Sequence, residues 1–303
     1  MKKILVVYYS QAGQLENVLK NIVSPLQEDG FCVDMRAITP LKPYAFPWNF
    51  YKFFNQLPDS TFLRGCEVEP LEEIKQKYDL IILGYTVWYM APSVPTVGFL
   101  RSKQAKELFR DTPVVTVVAC RDMWILAQEK IKTLLKELGA LHKDHIALTD
   151  RGKSIVSLIT LPTYMLTGEK KFFSFLPPAG IHPDEIKYAR RFGVRLSEAL
   201  QKDEEKHSEP MLKKLAAVRV DGKLIATEKV ADRSFKIWSR LIEKAGKPDS
   251  FARKVVITIY VSFLLLLICT VIPLNIIIRK IISLFQKEKI KKMEAYYELP
   301  SGR

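Results

Sequence analysis

Short, nearly unbroken apolar runs recur through the first half of the chain, each followed by a polar loop and then by apolar positions spaced three and four apart. Residues 4–9 (ILVVYY), 79–84 (DLIILG) and 113–119 (PVVTVVA) are such runs. A run that is apolar on both alternating faces reads as a strand buried on both sides, as in a parallel sheet. Residues 31–37 and 146–149 read as two further strands. The spacing of Leu15, Val18, Leu19, Ile22 and Val23 predicts a helix over 15–27. Residues 95–106, 125–138 and 182–200 read as helices too, the last with Pro183 in its first turn. Strands alternating with helices give a doubly wound sheet covered on both faces.

Two stretches interrupt the alternation. Residues 40–66 contain LKPYAFPWNFYKFFNQLPDSTFL, dense in aromatics and proline, and are long for a connection. They read either as a binding loop or as an aromatic pack on the domain. Residues 152–180 carry apolar patches at 155–166 and 172–178, each too short to cross a bilayer. Past residue 205, Asp221-Gly222 within 218–226 is a hairpin signal. Residues 230–245 have a basic amphipathic pattern, with Phe235, Ile237, Trp238, Leu241 and Ile242. That pattern suits the bilayer interface or packing on the main domain. The organisation expected is a domain over 1–205 with insertions at 40–66 and 152–180, a juxtamembrane segment over 206–254, an anchor over 255–278 and a basic tail over 279–303.

Charge sharpens this division. The net charge is +14, and residues 1–205 hold 27 basic and 24 acidic side chains against 20 and 9 in residues 206–303. A basic last third suits nucleic acid or an anionic membrane surface. The stretch VVITIYVSFLLLLICTVIPLNIII decides for the membrane: residues 255–278 hold no charge, and ~1.5 Å per residue lets such a helix span a ~30 Å hydrocarbon core. Basic residues flank it on both sides, so charge assigns no orientation. The apolar run after Lys3 is too short for a secretory leader. Cys32, Cys66, Cys120 and Cys269 are scattered, with neither metal spacing nor a disulfide framework. A reducing cytoplasm suits the main domain. The location expected is the cytoplasmic face of a membrane.

The loops after the first, third and fourth buried runs all fall at the carboxyl edge of the sheet, where open α/β sheets bind ligands. The first, Ser10-Gln11-Ala12-Gly13-Gln14, turns a strand into a helix. Its free backbone N–H groups and the helix N-terminus favour an anion such as a phosphate monoester, and Gly13 allows close approach. An ordinary strand–helix turn reads the same way. The loop at 85–92 brings Thr86, Val87, Trp88 and Tyr89, and the loop at 120–124 brings Cys120, Arg121, Asp122 and Trp124. Asp122 either faces the site or caps the helix that follows.

With these three loops, residues 2–200 resemble the flavodoxin-like proteins, a five-stranded parallel sheet of order 2-1-3-4-5. The motifs are SQAGQ, GYTVWYMAP and CRDMW. The resemblance implies FMN as cofactor. Ser10, Gln11, Ala12, Gly13, Gln14 and Leu15 would hold its phosphate. Thr86, Val87, Trp88 and Tyr89 would border one side of the ring, and Cys120, Arg121, Asp122 and Trp124 the other. Ala12 and Leu15 stand where the family commonly has hydroxyl residues, which leaves more of the phosphate binding to backbone donors. A closer resemblance, carried by KKILVVYYSQAGQL, KPYAFPWNFYKFF and YYELPS, is to the dialkylresorcinol condensing enzymes of bacterial pigment and lipid clusters.

That second resemblance implies an FMN-dependent aromatase oxidising a 2,5-dialkylcyclohexane-1,3-dione to a dialkylresorcinol, with a ketosynthase partner performing the condensation. Tyr89 and Asp122 are the acid/base candidates, and Arg121 would stabilise an enolate. The segments at 41–63 and 155–178 would wall the alkyl arms. The partners expected are this lipophilic substrate and membrane lipid, with a homodimer as a further expectation and no nucleic acid. Two other readings fit the same loops: a membrane-bound NAD(P)H–quinone reductase, and a non-catalytic electron carrier or scaffold.

Overall fold

The computed structural model describes residues 1–72, 77–149, 154–270 and 287–302. Its centre is a five-stranded parallel sheet of order β2-β1-β3-β6-β7, built from β1 (Lys3–Tyr8), β2 (Cys32–Ala37), β3 (Leu80–Tyr85), β6 (Pro113–Cys120) and β7 (Leu141–Thr149). This is the flavodoxin-like doubly wound order, with the chain reversing direction across the sheet between β1 and β3. A two-residue antiparallel pair, β4 (Val87–Trp88) and β5 (Ala91–Pro92), stands on the loop after β3.

Alternation along the strands sends side chains to two separate cores. Ile4 and Val6 of β1, with Ile82 and Val117, meet α1 (Gln14–Glu28) and, further along the chain, α9 (Arg190–Gln201). Helices α1 and α9 approach so closely that a Cβ on Gly193 would stand 1.9 Å from the Ile22 carbonyl oxygen. Leu5 and Val7, with Ile81, Leu83 and Val118, face the opposite core. That side is covered by α4 (Val94–Leu100), α5 (Lys103–Phe109) and α6 (Ile125–Glu137). The one helix expected over 95–106 is therefore two, divided at Arg101 and Ser102, where the Ser102 hydroxyl accepts from Ala105 N and starts α5.

The strand expected over 146–149 begins five residues earlier, at Leu141. Its polar middle is buried with partners for Asp144 and for one ring nitrogen of His145. Asp144 accepts from Met211 N and Leu212 N at 2.7 and 3.2 Å, and His145 Nδ1 lies 2.8 Å from Thr116 Oγ1.

The insertions are built structure. The first forms α2 (Phe50–Asn55), capped by Asn49, and α3 (Leu57–Thr61). The second forms α7 (Ser154–Thr167), while 172–178 has no helix; α8 (Pro183–Tyr188) then precedes α9. Asp221-Gly222 is not a hairpin turn. The Asp221 carboxylate accepts from Lys223 N and caps a 23-residue helix, α10 (Gly222–Lys244). A cap and a hairpin turn share the same dipeptide; here the residues that follow propagate the helix.

Helix α11 (Phe251–Cys269) carries the apolar run, whose remaining residues 271–278 lie outside the described residues. Its first turns are fixed to the domain. Arg253 donates to Asn55 Oδ1 at 2.7 Å and to the Gly246 carbonyl at 3.2 Å. Ile257 and Tyr260 pack with Phe54, Leu57 and Ile242. The tail also returns to the domain. After α12 (Lys287–Tyr297), Glu294 accepts from Gly222 N, Glu298 accepts from Val220 N, and Ser301 Oγ both accepts from His145 N and donates to His145 O at 2.7 and 3.0 Å. These last two bonds satisfy the outer edge of β7, a sheet edge that would otherwise expose unpaired groups.

Candidate functional site

The three loops at the carboxyl edge meet around one cavity of about 330 Å³, within the size range of small-molecule sites. Its floor is the turn from β1 into α1. Gly13 has φ of +74°, a left-handed conformation that costs glycine little, and it is the N-cap of α1. The turn is tied down by its own side chains. Ser10 Oγ accepts from Glu16 N at 3.3 Å, Gln11 Nε2 donates to the Ala45 carbonyl at 3.2 Å, and Gln14 Nε2 donates to the Ile181 carbonyl at 3.3 Å.

Ser10, Gln11, Ala12, Gln14 and Leu15 line the cavity, and so do Thr86, Val87, Trp88, Tyr89, Cys120 and Arg121. Two polar atoms among these, Gln11 Oε1 and Thr86 Oγ1, are buried with no partner inside the protein. Buried polar groups are nearly always satisfied, so such a pair asks for a ligand bearing hydroxyl or amide groups.

Trp88 sits in an aromatic cluster, its ring 5.9, 5.1 and 5.4 Å from those of Tyr9, Tyr44 and Trp48. Beyond it, Tyr89 and Met90 have φ of 48° and 60° at the turn between β4 and β5. Two consecutive non-glycine residues in the left-handed region store strain that surrounding contacts must hold. Lys130 Nζ supplies one, donating to the Met90 carbonyl at 2.9 Å and to Asp232 Oδ1 at 2.8 Å. Tyr89 supplies another: its hydroxyl donates to the Phe53 carbonyl at 3.0 Å, and its ring packs on Phe53 and Phe235. Burial holds the Tyr89 hydroxyl well above its ordinary pKa. This phenol, expected as an acid/base group, is engaged with the Phe53 carbonyl, and its raised pKa favours the protonated form.

Three expected site residues stand off the cavity lining. Gly13 contributes backbone behind it. Trp124 is only 1% exposed and faces the interior, its ring 5.0 Å from that of His145; as the residue before α6 it turns inward with the first helical turn. Asp122 pairs with the neighbouring Arg121, Nε to Oδ1 3.3 Å. The first turn of α6 is also capped from outside its own loop. Glu228 of α10 accepts from Ile125 N at 3.2 Å and Leu126 N at 2.8 Å. Burial raises the Glu228 carboxyl to about 7. The Cys120 thiol, likewise pushed well up by burial, donates to the Arg121 carbonyl.

The remaining wall is apolar. Phe53 comes from the first insertion, and Leu161, Pro162, Tyr164 and Met165 from α7. Both segments were expected as walls. Phe235, Met123 and Gly180 were not singled out as lining. Phe235 had a signal in the amphipathic pattern of 230–245, but its apolar face suited lipid as well as protein. Among the described lining residues Arg121 is the one cation, set between apolar walls and a polar floor.

No protein-family model matches the chain, and no curated protein matches it. Among solved structures it is similar to a flavoprotein in complex with FMN from Lactobacillus acidophilus, at 20% identity over 48% of this chain and 91% of that one, with a TM-score of 0.38. It is similar to a flavodoxin from the domain Archaea at 12% identity, over 66% and 99% of the two chains, with a TM-score of 0.37. An oxidised flavodoxin from Bacillus cereus is 12% identical over 63% and 95%, with a TM-score of 0.34.

Proposed function

We propose that the cavity binds FMN and that the protein is a flavin-dependent oxidoreductase acting on a lipophilic substrate. The observation that carries this reading is the division of the cavity into a polar floor at the start of α1 and broad apolar walls from α2, α7 and α10. FMN has the matching halves. Its phosphate suits the N-terminus of α1, its ribityl hydroxyls suit the unpartnered Gln11 Oε1 and Thr86 Oγ1, and its flat ring suits the slot between the loops that carry Trp88 and Arg121. When bound, FMN supplies a two-electron acceptor.

The substrate class follows from the resemblance and the walls together: a 2,5-dialkylcyclohexane-1,3-dione, which loses one proton and one hydride to become a dialkylresorcinol. A 1,3-dione is a vinylogous acid, so it needs a counter-charge more than it needs a strong base. Arg121 provides that charge on the cavity surface and favours the enolate. Phe53, Leu161 and Phe235 line the wall and keep water from the reacting ring. The neighbouring apolar helix α11 suits a substrate with alkyl arms, since each buried CH₂ favours lipid by roughly 0.8 kcal/mol.

The deciding measurement is the absorption spectrum of the detergent-purified full chain. A yellow protein whose flavin band bleaches anaerobically on adding the dione supports the reading. A protein that stays colourless in added FMN overturns it, and a band that the dione leaves unchanged overturns the substrate.

A further inference from the structure

We infer that α11 inserts into a lipid bilayer from one side only, so that the main domain and residues 287–302 stay on the same face. The partner surface is an anionic bilayer, entered but not crossed.

The argument starts with what α11 touches. The helix has 19 residues and a mean hydropathy of 2.1. Its inner face is taken up by protein at Arg253, Ile257 and Tyr260, three and four residues apart. Its outer face is not: Ile259 and Leu266 are 54% and 61% exposed. A helix that crossed a bilayer would need lipid or another span on every side for ~30 Å of its length. Here the first three turns are held on the domain, Arg253 bonded to Asn55 and Tyr260 packed on Trp238 and Phe54. Only the last turns stand clear of it, a stretch of about 15 Å at 1.5 Å per residue. That described part covers about half of a ~30 Å hydrocarbon core.

The chain beyond α11 gives independent evidence. Residues 287–302 are back on the domain that precedes the helix, held by buried bonds from Ser301 to His145 and from Glu298 to Val220 N. His145 lies in the main sheet. A single crossing would leave these partners on opposite sides of the membrane, and the bonds could not form. The stretch between residues 269 and 287 is long enough for a return: at about 3.5 Å per residue its extended reach exceeds the whole length of α11.

Charge selects the lipid. The last third of the chain holds 20 basic against 9 acidic side chains, and Lys254 lies on α11 itself, one turn from its start. Such a surface favours anionic headgroups, each nearby cation contributing about 1 kcal/mol.

The test uses the full chain with a cleavable tag after residue 303, reconstituted into phosphatidylcholine–phosphatidylglycerol vesicles. Flotation with the vesicles, together with complete tag cleavage by added protease in every molecule whose main domain is accessible, is the expected result. A tag protected until detergent is added would mean a crossing and overturns the inference. Protein left at the bottom of the gradient overturns it as well. A second variant, Ile259→Glu with Leu266→Glu, changes only exposed side chains. It should lower the floated fraction at least tenfold with an unchanged thermal melt; unaltered flotation rejects α11 as the inserting element. Neither readout depends on what fills the cavity.

Discussion

At the scale of single residues, the cavity turns on a few polar atoms in apolar surroundings. Thr86→Val keeps the shape and removes the unpartnered hydroxyl. One hydrogen bond contributes about 1 kcal/mol, so FMN dissociation constants from fluorescence titration should rise about fivefold. Arg121→Gln removes the cavity's positive charge. Dione turnover should fall by about 10²-fold while the flavin band stays, since the loss is of enolate stabilisation. Tyr89→Phe should retain turnover within a few-fold, because the phenol is committed to the Phe53 carbonyl. A large loss of kcat would restore Tyr89 as a participant. The residues expected at 10–15, 86–89 and 120–121 meet in space because strand ends bring their loops together. Trp124 faces the interior, and an aromatic in such a loop reads the same in sequence whether it faces a ligand or the core.

At the scale of elements, α10 does more than its amphipathic pattern suggests. Its Glu228 satisfies the first N–H groups of α6, and burial raises the carboxyl from 4.5 to about 7. A folded-state pKa above the unfolded value means stability that is full below about pH 4.5 and lost as pH rises through about 7. The loss attributable to this group is on the order of 3 kcal/mol. Asp144, raised by burial to about 6, titrates in the same direction. The check is therefore a difference: chemical denaturation of the native chain and Glu228→Gln between pH 4.5 and 8 should show the shallower slope in the variant. Gly193→Ala tests the α1–α9 contact, where overpacking against the Ile22 carbonyl should cost about 1–3 kcal/mol or more in the same assay. The strands at 4–9, 79–84 and 113–119 were legible because both of their faces are buried. The start of β7 was not, because Asp144 and His145 look like surface residues until their partners at 211–212 and 116 are known.

At the scale of the whole molecule, two parts distant in sequence complete the domain. The doubly wound order follows from alternation and short connections. The return of the tail does not, since it rests on side chain to backbone bonds that leave no periodic trace. Removing residues 287–302 should lower the melting temperature by several degrees and expose the edge of β7 to association, measured by calorimetry and light scattering. A truncated chain that melts like the full one and stays monodisperse would show the tail to be dispensable.

The Ser301–His145 bridge also bears on the order of assembly. Translation makes β7 well before the segment that seals it, so the nascent sheet keeps an open margin until the last residues are available. Until that seal is made, the margin is open to pairing with a neighbouring strand.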